Sequence, residues 1–568
     1  MTAGGRAERL DSSSHMPTPA AIPLPVKWAK VLDQTRCIGC HACSTACKSE
    51  NDVPLSVHRT YVKNVDIGVF PTARRAFQVT RCNQCENPPC ATACPTSAMF
   101  QRKDGIVDFD KDWCIGCKAC IAACPYDAIF INPEDHTAEK CNMCAHRLEV
   151  GLEPACVVVC PTQAILVGDM NDPNSKVAGI INREVVAVRR PEKDTRPKLF
   201  YKGAHAATLD PLAARRPTGG IFMWGEQVGR LTGKVTSGVA SERRGVASTG
   251  SRTAVDSATG RGVASTGSPT DSRSATGFGS ATGSGAATYR TTSSAAAVLS
   301  YDIPHNRPWD WRVSAYTWTK SISTGAYMVG YFALTNIYSA DAPILRFGVP
   351  AVAAFFLAIT GLLLIADLKQ PKRFYYMFLR PQWNSWLVRG GVLISAFGAV
   401  LGLQIFMGLL GGGGTSAALA WAGIPLALGT AVYTAYLFAQ AKARDLWQNP
   451  LLPPHFVIQA LLAGVCFWNL AAPWTAVIFP RDVSLFTALH LAMIFGELTM
   501  THGTAHARMA AREITHGEFR GYFRLAVGLS VIGLLTPWVG AIGAACSLFG
   551  LLAWEHAHVQ AGQSVPLA

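Results

Sequence analysis

No long apolar run occurs before about Tyr316, and only two of the eighteen cysteines lie outside residues 37–160. The first absence excludes a helical membrane span from the N-terminal half. The second confines cysteine chemistry to one small region. Met1 to Lys30 lacks the apolar core of a secretory signal and has no twin arginine. Cysteines kept on that side of a membrane meet a reducing compartment, where metal ligation is expected over disulfides. The formal charge of +14 suggests nucleic acid at first sight, yet no recognition helix or RNA platform is present. With 568 residues the chain needs more than one core.

What is present divides into five stretches. Residues 1–30 read as a flexible leader. Residues 31–195 form a cysteine-dense α+β domain with short β-like runs at Gly105-Ile-Val-Asp-Phe, Ala128-Ile-Phe-Ile and Ala164-Ile-Leu-Val. Such short runs cannot bury an ordinary core, so bound metal must hold the domain together. Residues 196–230 carry Phe200-Tyr201 and Phe222-Met223-Trp224 and read as a docking extension. Residues 231–300 are low in complexity: Gly245-Val-Ala-Ser-Thr-Gly-Ser recurs at Gly262, and Ser-Ala-Thr-Gly at Ser257, Ser274 and Ser280. That composition reads as a disordered linker, a tether whose roughly 65 residues would span about 45 Å r.m.s.. Residues 301–568 read as an all-α polytopic bundle of about eight spans, at 321–340, 347–366, 388–410, 416–438, 456–479, 484–505, 523–538 and 540–557. Trp309, Trp311, Trp318, Trp383, Trp386 and Trp447 lie near span ends, as an interfacial belt requires.

The cysteines fall into four groups. Cys37, Cys40, Cys43 and Cys47 are followed by Cys82, Cys85, Cys90 and Cys94, then Cys114, Cys117, Cys120 and Cys124, then Cys141, Cys144, Cys156 and Cys160. Three closely spaced thiolates grip three corners of one cubane, and a fourth set apart before proline reaches a neighbour. Pro95, Pro125 and Pro161 follow three of the groups, and Lys48 follows the first. Sixteen thiolates balance four 4Fe-4S clusters. Zinc ribbons also use paired C-x-x-C units, but zinc does not explain triplets followed by Cys-Pro.

On these residues, 31–195 resembles the four-cluster electron-transfer subunits of the dimethyl sulfoxide reductase superfamily, the complex iron–sulfur molybdoenzymes. The resemblance implies two bacterial-ferredoxin-like halves with crossed ligands. One cluster would take Cys37, Cys40, Cys43 and Cys160, and its neighbour Cys141, Cys144, Cys156 and Cys47. The second pair would take Cys82, Cys85, Cys90 with Cys124, and Cys114, Cys117, Cys120 with Cys94.

After the second span, the run from Ala366-Asp-Leu through Pro371, Arg373-Phe and Trp386 resembles the polysulfide-reductase-type (NrfD-like) membrane anchors. That resemblance implies about eight spans, no haem and electron exchange with quinone near the iron–sulfur side. His490 and Glu497 are seven residues apart on one helical face, with Thr501 a turn further. Ionisable groups inside a membrane suggest a proton path or a ligand site, unless they pair only to fix helix packing. Asp367 is an equal candidate for the quinone pocket; Lys320, Tyr327, Asn336 and Asn469 are secondary ones. His502 and His506 read as interfacial, and Cys466 and Cys546 as inert.

With eight spans, Lys369, Lys372, Arg373, Arg380, Arg389, Lys442, Arg444, Arg508, Arg512, Arg520 and Arg524 share the N-terminal side, against Arg346 and Arg481 opposite. This bias places the iron–sulfur domain on the cytoplasmic side of the inner membrane. The chain shows no molybdopterin-binding, hydrogenase or nicotinamide motif, so substrate chemistry belongs to a partner. The expected function is therefore a relay between a catalytic oxidoreductase subunit, of molybdopterin type, and the quinone pool of the membrane lipid. A hydrogenase partner, or a transporter-like scaffold with structural clusters, is the alternative.

Overall fold

The computed structural model describes residues 25–68, 71–215, 297–339, 342–411, 413–475 and 478–567. Its strands are short and numerous. They are β1 (Trp28–Asp33), β2 (Thr60–Ile67), β3 (Arg74–Arg81), β4 (Met99–Gln101), β5 (Val107–Phe109) and β6 (Ile129–Ile131). After these come β7 (Ala138–Lys140), β8 (Ile165–Asp169), β9 (Val186–Ala187), β10 (Leu199–Lys202) and β11 (Ala297–Tyr301). One sheet has the order β8-β1-β10-β9, a second β11-β2-β3, and β4-β5 and β6-β7 form two small hairpins. Between them the cysteine loops supply the core. Cys82, Cys85, Cys90, Cys94, Cys114, Cys120, Cys124 and Cys141 pack with Met99, Val107, Ile121 and Tyr126 in one buried cluster.

Three boundaries differ from those read in the sequence. β1 begins inside the stretch assigned to the leader. β10, inside the expected docking extension, pairs in parallel with β1 from Lys30↔Leu199 to Asp33↔Lys202 and so belongs to the cysteine domain. β11 takes residues 297–300 from the expected linker and pairs with β2. The rest of that linker, and residues 216–230 of the extension, lie outside the described residues.

The two flanks of this segment are neighbours. Arg215 N–H donates to Ala297 O at 2.9 Å, and Leu299 N–H donates to Arg215 O at 2.9 Å. A tether setting the reach between two domains would leave its ends apart. Here both ends are held on the cysteine domain, and the covalent joint to the bundle is the short run after Tyr301. His305 fastens that run, with Nε2 3.1 Å from Asp302 and Nδ1 bonded to Asp127. Burial alone would lower its pKa, but the carboxylates of Asp302 and Asp127 outweigh it and raise it to about 9.

The remaining chain is helical. We number its principal helices α1 (Trp311–Leu334), α2 (Val349–Asp367), α3 (Trp386–Leu409), α4 (Gly413–Gln440), α5 (Leu452–Leu470), α6 (Pro480–Thr499), α7 (Ala505–Thr515), α8 (Arg520–Leu534) and α9 (Ala541–Ser564). Asp310 caps α1 by accepting from Arg312 N–H, and Thr504 caps α7 by accepting from Ala507 N–H. α1, α5 and α9 pack against one another at the centre. Gly325 of α1 meets Gly464 of α5 so closely that a Cβ on Gly325 would stand 1.7 Å from Ala460 O. Small residues at such crossings let helix backbones touch.

Among the described residues, four helices are long and apolar enough to cross a membrane: Ile344–Asp367, Trp386–Leu409, Leu419–Gln440 and Pro480–Thr499. Of the eight expected spans, four are shown on length and composition. The others fall short for identifiable reasons. α8 has 15 residues, below the about 20 that a bilayer needs. The central helices α1, α5 and α9 carry buried polar side chains, among them Thr317, Lys320, His455, Gln459, Glu555 and His558. A helix wrapped by others can hold such groups, whereas one facing lipid cannot. By contrast, only 28% of the apolar stretch of Ile344–Asp367 and 22% of that of Trp386–Leu409 is buried.

Because residues 215 and 297 already meet, excising residues 226–287 is expected to leave iron content and the seating of the cysteine domain on the bundle unchanged. Limited proteolysis and iron analysis of the shortened chain check this; loss of iron or release of the domain would contradict it.

Candidate functional site

The sixteen cysteines gather in space across the sequence groups. Burial raises the Cys37 thiol, and the neighbouring Cys160 and Cys40 add to it. Cys47 is pushed up to about 12 by burial and by Cys141 and Cys156, not by its own group. Burial, then Cys82 and Cys124, pushes Cys85 up to about 12. Cys120 is driven well up by burial and by Cys117, Cys114 and Cys94. These neighbours fit the four sets expected from the resemblance: Cys37, Cys40, Cys43 and Cys160; Cys47, Cys141, Cys144 and Cys156; Cys82, Cys85, Cys90 and Cys124; and Cys94, Cys114, Cys117 and Cys120.

The sets stand in a row. Cys43 of the first neighbours Cys156 of the second, Cys82 of the third neighbours Cys141 of the second, and Cys90 of the third neighbours Cys120 of the fourth. At one end Cys40 is exposed and Cys37 and Cys160 are half-buried. Backbone N–H groups point at sulfur within the sets: Ala164 to Cys160 at 3.2 Å, Met99 to Cys94 at 3.3 Å, and Ala138 to Cys114 at 3.3 Å. Such donors stabilise negative charge on sulfur.

At the other end the fourth set rests on the bundle. The loop from α2 to α3 donates from Lys369 N–H to Gly116 O and from Gln370 N–H to Ile115 O, both at 3.2 Å. Trp309 Nε1–H donates to Cys117 O at 3.3 Å, while Gln382 N–H to Pro95 O and Ser385 Oγ to Ala93 O bracket Cys94 at 3.0 and 2.9 Å. Asp367 lies in this seam, its carboxylate 2.7 Å from Lys118 Nζ and buried with it. Gly116 makes the approach possible. Its φ is +67°, and a Cβ there would stand 2.6 Å from Lys369 Cβ.

His490 and Glu497 are brought together, but through a third residue. His455 Nδ1 is 2.7 Å from Glu497 Oε1, and its Nε2 is 2.8 Å from His490 Nδ1. All three are buried, and Glu497 Oε2 and His490 Nε2 have no protein partner among the described residues. His455 opens α5 behind Pro453 and Pro454. Its place at a span end hides it in the sequence, and only its coincidence in depth with Glu497 could have marked it. Thr501 lies past the end of α6 and is exposed. Asp367 stands apart from this trio, in the seam.

Lys320 forms a second buried centre, donating to Ala431 O at 2.7 Å and Thr434 Oγ1 at 2.8 Å. Glu555 of α9, bonded to Thr317, faces the same region. Tyr327 donates to Gln404 at 3.1 Å. Asn336 donates to Phe332 O of α1, and Asn469 is buried near the far end of α5. His506 contacts Arg190 and Pro566 O and belongs to the seam. Cys466 is buried in the apolar centre, and Cys546 is half-buried.

Comparison with known proteins agrees with this two-part plan. Residues 73–170 match the 4Fe-4S dicluster domain family, and residues 301–545 match the family described as polysulphide reductase, NrfD. The sequence is 43% identical over 197 residues to a tetrathionate reductase subunit of Salmonella typhimurium, covering 33% of this protein and 77% of that one. It is 44% identical over 177 residues to a polysulfide reductase polypeptide of Wolinella succinogenes, covering 31% and 93%. To the arsenate respiratory reductase iron–sulfur subunit of a Shewanella species it is 34% identical over 224 residues, covering 31% and 96%.

Replacing Gly116 by Ala is expected to loosen the seam while leaving the cysteine sets intact. Hydrogen exchange at the Lys369 and Gln370 amides should quicken, with iron content unchanged; unaltered protection would show that the close approach is not needed.

Proposed function

The protein belongs to the iron–sulfur subunits of reductase complexes, joined in one polypeptide to a polysulphide reductase NrfD membrane anchor, and from that premise we propose that it relays electrons between a molybdopterin-type catalytic partner and membrane quinone. Four 4Fe-4S clusters are proposed, one in each cysteine set. The clusters supply one-electron steps; everything else falls to the polypeptide. The observation that carries the reading is the row of four thiol sets leading from exposed Cys40 to the bundle seam.

The donor set fits. Sixteen soft sulfurs with N–H donors directed at them are what cubanes require. The fourth set lines a pocket bounded also by Pro95, Met99, Ile115 and Lys118. The neighbours of Cys94 and Cys124 support the proposed crossed pairing of Cys94 with the third sequence group and of Cys124 with the second.

Quinone reduction takes up two electrons and two protons, and its reverse releases them. The seam around Asp367 and Lys118 is where quinone would meet the fourth set. His455 lies in the first turn of α5 and Glu497 in the last turn of α6, both at the seam end of the bundle, with His490 about two turns deeper. A carboxylate bonded to a histidine pair can hold a proton and pass it on. We place eight spans in the membrane, the central polar helices included, and the cysteine domain on the cytoplasmic side, as the basic loops of the seam suggest.

Anaerobically purified protein is expected to hold about sixteen iron per molecule. Cys94→Ser should damage the cluster of Cys114, Cys117 and Cys120, not that of Cys82, Cys85 and Cys90. Iron near eight, or spectra showing the opposite loss, would refute the assignment. Separately, Glu497→Gln and His455→Gln should each slow quinone-linked turnover at least tenfold while dithionite still reduces every cluster. Full activity in both would assign the trio to packing alone.

A further inference from the structure

Two cations in the cysteine domain reach a cysteine sulfur directly. Arg81 ends β3 and is 1% exposed, with Nη1 3.0 Å from Cys156 Sγ. Lys30 of β1 is equally buried, with Nζ 3.7 Å from the same sulfur. Among the described residues no carboxylate pairs with either, and Arg81 Nε and Nη2 have no protein partner. An unpaired guanidinium held out of water is costly and persists only where a negative body lies against it.

The other sets are treated differently. Lys118, beside the fourth set, is neutralised by Asp367 at 2.7 Å. Lys140, near the third, donates to the carbonyls of Val107 and Cys141. Arg373 donates to the carbonyls of Lys111 and Cys114. Among the described residues only Arg81 and Lys30 bring charged donors onto sulfur, and both choose Cys156.

We infer that Arg81, supported by Lys30, makes the cluster held by Cys47, Cys141, Cys144 and Cys156 the highest in potential of the four. Adding an electron to a cluster makes it one unit more negative, with no bond made or broken. A fixed positive charge in a low-dielectric interior favours that reduced state, and the guanidinium stays charged at any working pH. The second site is then the station where an electron rests between the exposed end of the row and the membrane. Arg81 is a positioning residue in this sense: it acts through the cluster and touches no substrate.

This rests on the clusters proposed above, and iron analysis separates the two. The test is a potentiometric titration followed by EPR on the full-length protein, with the second cluster's signal assigned from its loss in Cys156→Ser. In the unaltered protein that signal should appear first. In Arg81→Gln it should no longer lead, with the midpoint of the first cluster, whose Cys43 also faces Arg81, falling by less and the other two unmoved, and Arg81→Lys should restore much of the lead. With sixteen iron present, an unmoved midpoint, or an equal shift in all four, overturns the inference. If Arg81→Gln loses iron, Lys30→Gln decides: the same midpoint must fall, and an unmoved one overturns the inference. Iron far below sixteen in the unaltered protein would instead count against the four-cluster reading.

Discussion

The seating of the Ile115–Cys117 backbone on the loop between α2 and α3 is the contact on which the rest depends. Three carbonyls of a cysteine loop accept from the bundle, and Gly116 lets the two backbones come within reach. Without a Cβ at that point the fourth cysteine set can lie directly on the membrane domain. Lys118 and Asp367 then neutralise each other in a place that would tolerate neither alone. The direction of the row follows from this single contact, because the remaining sets extend away from it to the exposed Cys40.

The same contact changes the role of the repetitive segment. A long tether supplies effective concentration and leaves geometry to docking surfaces. In this protein the geometry comes from the seam and from the run after Tyr301 that His305 clamps between Asp302 and Asp127. The described residues on either side of that segment, Arg215 and Ala297, meet on the same sheet edge. Joining the two functions in one polypeptide therefore rests on a short connection near the membrane.

Much of the cysteine chemistry was legible, since thiolate spacing before proline is a direct statement of which corners a loop can reach. The bundle was legible where helices face outward, as in α2 and α3, whose apolar side chains show plainly. It was less so for α1, α5 and α9, where burial by neighbours permits Lys320, His455 and Glu555 and blurs the apolar pattern. Glu497 and His490 could be placed on one face from their spacing, but His455 comes from another helix, and helix pairing leaves no local mark. Asp367 was visible as an ionisable residue at a span end; that Lys118 of the other domain pairs with it was not. β11 was missed because five residues after a low-complexity run carry too little pattern to separate from it.

The claim that the fourth set is the membrane-side end of the row can be tested by freeze-quench EPR of the oxidised protein mixed with a quinol analogue. The signal that Cys120→Ser abolishes should be the first to change, ahead of the one that Cys40→Ser abolishes. If the Cys40 signal changes first, quinol enters at the exposed end and the proposed direction of the row is wrong.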